Sequence, residues 1–125
     1  MKINTLLLIT GILSVLYAAC LLFMPEIFLE MRGAYTDAYG IFMTRLMGAT
    51  VVGYALLGIL ASKLQSREAL RLAAIVNGGG WAAGFIVLLM AKMTLEFNAV
   101  IWVDIAFGVI FPIAFANYIF SKPKA

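Results

Sequence analysis

The hydrophobic pattern of the chain consists of four long apolar runs separated by short polar segments. The runs cover residues 3–24, 38–62, 72–91 and 97–120. A helix of about 20 residues crosses the roughly 30 Å hydrocarbon core of a bilayer, so each run is long enough to span one. Short links place consecutive spans side by side in opposite directions. The pattern therefore predicts an all-α, polytopic membrane protein in which residues 1–125 form a single transmembrane domain, an antiparallel up-down four-helix bundle.

The first link contains a shorter amphipathic segment, residues 25–32 (PEIFLEMR), in which charged side chains alternate with apolar ones. A segment of this kind suits a short helix that lies in the membrane interface. Thr36 or Asp37 then stands just before the second run, where a side-chain oxygen can cap the first backbone amides of a helix. We therefore expect a short interfacial helix after the first span and a capped start of the second.

Composition strengthens the membrane prediction and excludes several functions. Hydrophobic residues make up 65% of the chain and charged residues 12%, whereas soluble domains have roughly 45–50% and 25%. The chain has no histidine and a single cysteine, Cys20, so the usual imidazole ligands of haem, zinc and non-haem iron and paired-thiol chemistry are missing. Neither a nucleotide-binding loop nor a catalytic constellation is present. The sequence therefore predicts a non-enzyme without a metal or cofactor.

The lysines and arginines predict the orientation, because these residues are retained on the cytoplasmic side of a membrane. Six of them would share one face: Lys2, Lys63, Arg67, Arg71, Lys122 and Lys124. The opposite face carries Arg32 and Lys92 among several acids. We expect a multi-pass protein of the cell membrane, inner or plasma, with both termini in the cytoplasm. The net charge of +3 then reflects topology, and no nucleic-acid partner is expected.

Two opposite charges lie inside separate apolar runs. Counted from the outer ends of these runs, Arg45 lies about 10 Å deep and Asp104 about 9 Å deep. A charge at the centre of a membrane helix costs about 2.5–3.5 kcal/mol, so we expect the two to pair at their common depth. Tyr17 falls near the same level, where its hydroxyl can hydrogen-bond the pair. The pair is either a clamp between two helices or part of a path for a ligand or proton.

The third run carries a face of small residues. Asn77, Gly80 and Gly84 lie at i, i+3 and i+7 on one side of a helix. Glycines let two helix backbones approach closely, and an asparagine adds a hydrogen bond between helices. The alternative is that the consecutive glycines 78–80 permit local unwinding around a site, as in transporters with broken helices. Trp81 would then border that site.

The fourth run places Asp104 on an aromatic stripe, because Phe107, Phe111, Phe115 and Tyr118 follow it at helical spacing. Small residues of the second run are available to face this stripe: Gly48, Ala49, Val52 and Gly53. An aromatic stripe usually packs in a core. It can also flank a slot for a lipid-like ligand, in which case Phe107 and Phe111 would line the pocket together with Trp81.

The layout of the chain resembles that of small four-span membrane proteins of the DoxX-like kind. The resemblance rests on Arg45-Leu-Met-Gly48 in the second run, the Pro25-Glu26 break before it and the basic loop from Lys63 to Arg71 after it. That group includes accessory subunits of quinone-linked oxidoreductases, so the resemblance implies a supporting role in the membrane. DoxX-like sequences often have an acid in the second span, where this chain has Arg45, and a redox role is therefore not carried over.

Two functions from different classes follow from these features. The first is a non-enzymatic accessory or scaffold subunit that associates with another membrane protein, or with further copies of itself, through glycine-rich and aromatic helix faces. The alternative is a small carrier or sensor that binds a lipid, sterol or quinone beside Arg45 and Asp104.

Overall fold

The computed structural model describes residues 2–122, and every regular element in this range is an α-helix. The helices are α1 (Ile3–Phe23), α2 (Pro25–Glu30), α3 (Ala38–Ala61), α4 (Arg67–Thr94) and α5 (Ile101–Phe120). Four of them, α1, α3, α4 and α5, are long and apolar enough to cross a membrane, as the apolar runs predict. Lys124, one of the cations assigned to the cytoplasmic face, lies outside the described residues.

Side-chain caps fix where α3 and α4 begin. Of the two candidate caps of α3, Asp37 is the one used, because its carboxylate accepts a 2.9 Å hydrogen bond from the amide of Gly40. α4 begins at Arg67, before the predicted residue 72. The hydroxyl of Ser66 accepts a hydrogen bond from the amide of Ala69, which makes the charged segment after it the first turn of the helix.

α5 begins at Ile101, later than the predicted residues 97 or 98. The side-chain oxygen of Asn98 accepts a 3.0 Å hydrogen bond from the amide of Val100, an arrangement typical of a turn. The later start places Asp104 in the first turn of α5. The acid therefore lies close to the end of its helix and not deep within it.

The long helices pack in two pairs. α1 packs mainly against α3, and fewer contacts join this pair to α4 and α5. Along α1 and α3, Gly11 faces Gly58 and Leu21 faces Gly48, so rising residue numbers on one helix meet falling numbers on the other. A Cβ added to Gly58 would lie 2.9 Å from the Cα of Gly11. Both positions require glycine, because the two backbones are in contact there.

The second pair consists of α4 and α5. In this pair, glycines of each helix face large side chains of the other. Gly78 on α4 packs against Phe115, and Gly108 on α5 packs against Phe85. The core of the molecule lies between the pairs and draws on α1, α3, α4 and α5; its buried members are Ile3, Leu6, Leu7, Ala61, Leu70, Ala73, Ala74, Phe111 and Phe115.

One end of the molecule brings together most of its basic segments. The side chain of Asn4 donates a 2.8 Å hydrogen bond to the carbonyl of Ser62, which joins the start of α1 to the α3–α4 link. Arg67 donates to the carbonyl of Ser121 at 3.3 Å, which joins α4 to the end of α5. The other end contains α2 and the first turn of α5, where the candidate site lies.

Candidate functional site

Asp104 is the centre of a buried polar cluster. Its two carboxylate oxygens accept hydrogen bonds from Arg32 in a bidentate arrangement, from Nε to Oδ2 at 2.5 Å and from Nη2 to Oδ1 at 2.8 Å. The hydroxyl of Tyr17 also donates to Oδ1. Only 8% of the Asp104 side chain and 11% of the Arg32 side chain are exposed. The cluster joins α1, the turn after α2, and α5.

A helix-ending turn positions Arg32. The amide of Gly33 donates to the carbonyl of Glu30, and the amide of Ala34 donates to the carbonyl of Leu29. This pair of hydrogen bonds is the Schellman pattern, in which the residue after the cap takes a left-handed conformation. Gly33 has a φ of 73° and fills that role without strain. Arg32 is therefore held directly before the left-handed glycine that ends the turn.

The loop between α4 and α5 holds this turn in place. Asn98 donates from its side chain to the carbonyl of Met31 at 2.7 Å and from its backbone amide to the carbonyl of Arg32 at 3.0 Å. Because Asn98 comes just before the first turn of α5, the same loop fixes the start of the helix that carries Asp104. The two partners of the ion pair are thus positioned by one connection.

Phe28 forms the aromatic side of the cluster. The guanidinium carbon of Arg32 lies 3.6 Å from the ring centroid of Phe28, and Nη1 donates to the Phe28 carbonyl at 3.0 Å. The ring of Tyr17 meets that of Phe28 edge to face at 6.0 Å. Desolvation by burial lowers the pKa of Arg32, but the hydrogen bond and charge of Asp104 outweigh it and raise the pKa above its ordinary value.

The chemistry of the cluster is that of a closed clamp. The carboxylate of Asp104 accepts three hydrogen bonds from this chain. Arg32 directs its remaining terminal nitrogen to a backbone carbonyl. A buried pair with this geometry can tie helices together, and the carboxylate of Asp104 is already engaged by other residues of the chain.

We expect Tyr17→Phe to lower the free energy of unfolding by about 1.5 kcal/mol, at the low end for a hydrogen bond to a charged group, because Arg32 still bonds Asp104. Unfolding in mixed detergent micelles, followed by circular dichroism, measures this loss. Tyr39→Phe is the matched control, since Tyr39 is exposed. Equal stability of the Tyr17→Phe variant and the wild type would show that the hydroxyl does not support the clamp.

Arg45 takes no part in this cluster, which corrects the prediction that it pairs with Asp104. Its side chain is exposed on α3. Because Gly48 packs against Leu21, Arg45 lies almost one turn beyond that contact, level with the end of α1. Tyr17, which bonds Asp104, lies on α1 about one turn in the other direction, so the two levels differ by roughly 10 Å. The prediction failed because the ends of the apolar runs are not level.

The residues predicted to pack helices fall into two groups. Asn77 is buried in the core, where its amide nitrogen bonds the carbonyl of Ala73. Gly80 faces the ring of Tyr54, and Gly48 faces the end of α1, so both serve contacts within the chain. Gly84 is exposed, and a Cβ added there would meet no atom of the part of the chain that the structure describes within 4 Å.

The predicted pocket residues pack against one another. The rings of Trp81 and Phe111 lie 4.9 Å apart, and Phe107 stacks on Phe111 at 5.6 Å. Phe111 is buried, and all three belong to or pack against the core cluster. These aromatic side chains of α5 therefore pack against one another and against Trp81 of α4.

From the sequence, Arg32 is expected among the charges of the outer face, and no pattern assigns a role to Phe28 or Asn98. One signal could have identified the arginine: Gly33 follows an amphipathic turn, and a glycine in that position often ends a helix. The residue before it then lies at the end of the helix, where its side chain can turn back toward the bundle.

No protein-family model, curated protein or solved structure matches the chain.

Proposed function

We propose that this protein is a multi-pass protein of the cell membrane that acts as a non-enzymatic accessory or scaffold subunit. In this proposal α1, α3, α4 and α5 cross the bilayer as an antiparallel bundle, and α2 lies in the outer interface. The basic α3–α4 link and both termini face the cytoplasm, because lysine and arginine are retained on that side.

Small residues that face outward are the observation that carries the proposal. Ala49 and Gly53 are exposed on α3, and Gly79 and Ala83 are exposed on α4. The members of each pair are one helical turn apart on the same face. Among the described residues, no atom lies within 4 Å of a Cβ added to Gly53 or Gly79. Faces of this type let another membrane helix approach closely, which favours a partner membrane protein or a second copy of this chain.

The buried ion pair supports the same function. Arg32 and Asp104 form an ion pair within the chain. Buried charges are the features that would most readily mark a ligand or proton path, and in this proposal they hold the helices together instead. The alternative function, a carrier or sensor of a lipid, sterol or quinone beside an intramembrane pair, would need this clamp to open. The DoxX-like layout is compatible with an accessory role and stays a prediction.

We expect Gly79→Leu to remove most of the protein that copurifies with the chain, or to convert a homo-oligomer to a monomer, without lowering its melting temperature. The added side chain points to the outward face, because a Cβ at this position has no atom of residues 2–122 within 4 Å. Purification in mild detergent, followed by light scattering and identification of bound proteins, measures the change. Gly78→Leu is the matched control, because a Cβ there lies 2.9 Å from the Cβ of Phe115 and destabilises the fold instead.

A wild-type protein that purifies as a monomer without a partner protein would contradict the scaffold proposal, and a sterol or quinone bound beside Asp104 would favour the carrier. Unchanged association in the Gly79→Leu variant would show that this face is not the binding surface.

A further inference from the structure

A groove runs along the outer face of α5 toward its C-terminal end. It has a volume of about 700 Å³, and most of its lining is apolar, including Val109, Ile113, Ala116 and Phe120. Pro112 lies within the helix at this position. The groove starts near the middle of α5 and follows the helix to its end, and Ser121 is the last residue that lines it.

A basic pocket adjoins the groove at that end. It has a volume of about 340 Å³, and its charged lining residues are Arg67, Arg71 and Lys122. Phe120 and Ser121 line both cavities, so the apolar groove opens into the basic pocket. The described residues that line the pocket include no acid. Together the two cavities form a shallow, open apolar groove along α5 that ends at three cations.

The length of the groove matches one leaflet of a bilayer. From Val109 to Phe120 the helix rises about 16 Å, and half of a roughly 30 Å hydrocarbon core is about 15 Å. A lipid acyl chain in the groove would therefore extend from the membrane surface to the midplane. The basic pocket would lie at the level of the headgroups.

We propose that the groove and the basic pocket together bind one anionic phospholipid of the cytoplasmic leaflet. An acyl chain lies along α5, and the phosphate-bearing headgroup contacts Arg67, Arg71 and Lys122. Basic pockets on the cytoplasmic side of membrane helices bind anionic headgroups in this way. The proposal rests on the proposed insertion and orientation of the helices, but not on the scaffold role. A sterol or quinone has no anionic headgroup for the three cations, and soluble phosphate leaves the groove unfilled.

Native mass spectrometry of the detergent-solubilised full chain tests the site, with phosphatidylglycerol and phosphatidylcholine of identical acyl chains as probes. Each cation near the surface contributes about fivefold in affinity for an anionic lipid. Arg67→Gln with Arg71→Gln should therefore weaken phosphatidylglycerol binding about 30-fold and leave phosphatidylcholine binding unchanged. Lys2→Gln with Lys63→Gln is the matched control, because it removes the same charge near the same end from residues that do not line the pocket.

A second variant tests the groove. Ile113 is exposed, so Ile113→Trp should fold normally, obstruct the acyl chain and weaken the binding of phosphatidylglycerol while all cations remain. If the pocket and control double variants lost equal affinity for phosphatidylglycerol, the proposal would be overturned. The loss would then reflect the overall positive charge of this end of the molecule and not a specific site. Equal binding of glycerol phosphate, or no effect of Ile113→Trp, would also overturn it. Resistance of the protein to carbonate extraction from membranes tests the insertion separately.

Discussion

Asp104→Ala is expected to lower the free energy of unfolding by about 3–5 kcal/mol, the cost of removing one partner of a buried ion pair. The variant leaves the guanidinium of Arg32, which is 11% exposed, without its counter-charge. It also removes the acceptor of the Tyr17 hydroxyl. Chemical unfolding in mixed micelles, with the fluorescence of Trp81 and Trp102 as the signal, measures the loss.

Two variants make this prediction specific. Arg45→Ala should change the stability by less than about 0.5 kcal/mol, because the side chain is exposed on α3. Arg32→Leu combined with Asp104→Leu should cost less than the sum of the two single changes, since replacing both partners of a buried pair with apolar residues is often neutral. A larger loss of unfolding free energy from Arg45→Ala than from Asp104→Ala would instead support the pairing of Arg45 with Asp104 that the sequence predicts.

Gly58→Leu is expected to destabilise the α1–α3 pair by about 3 kcal/mol or more, at or above the upper end of the usual cost of overpacking. A Cβ at this position would lie 2.8 Å from the carbonyl oxygen of Leu7 and 2.9 Å from the Cα of Gly11. Both are backbone atoms, so no side chain can rotate away and the helices must separate. The same unfolding assay measures the effect.

Gly53→Ala on the same helix is the control. No atom of residues 2–122 lies within 4 Å of the added Cβ, and alanine favours a helix over glycine by up to about 1 kcal/mol in soluble hosts. The control should therefore be neutral or slightly stabilising. If Gly58→Leu were as stable as this control, the close backbone contact between α1 and α3 would be absent in the protein.

The helical architecture could be predicted because it depends on local properties of the chain. Long apolar runs are visible in sequence, and Pro25 and Asp37 mark the breaks and caps around the first link. The start of α5 was placed too early because Val100 continues the apolar run, although Asn98 holds that segment in a turn. Hydropathy reports composition, and it does not distinguish a turn from a helix when both are apolar.

The ion pair could not be predicted in the same way, because it depends on the relative height of elements distant in sequence. Arg32 is separated from Asp104 by 72 positions, and the two meet because a glycine-terminated turn directs the arginine inward. Arg45 gave the stronger sequence signal, since it interrupts an apolar run. Its level in the bundle is set by the register of α3 on α1, which no local pattern reveals.

The composition of the clamp has a consequence for biogenesis. Tyr17 and Arg32 precede Asp104 in the chain by 87 and 72 positions. At about 5–20 residues per second, a ribosome needs several seconds to add the missing acid. The guanidinium of Arg32 therefore has no Asp104 to pair with until α5 has been translated, and the clamp can close only after that step.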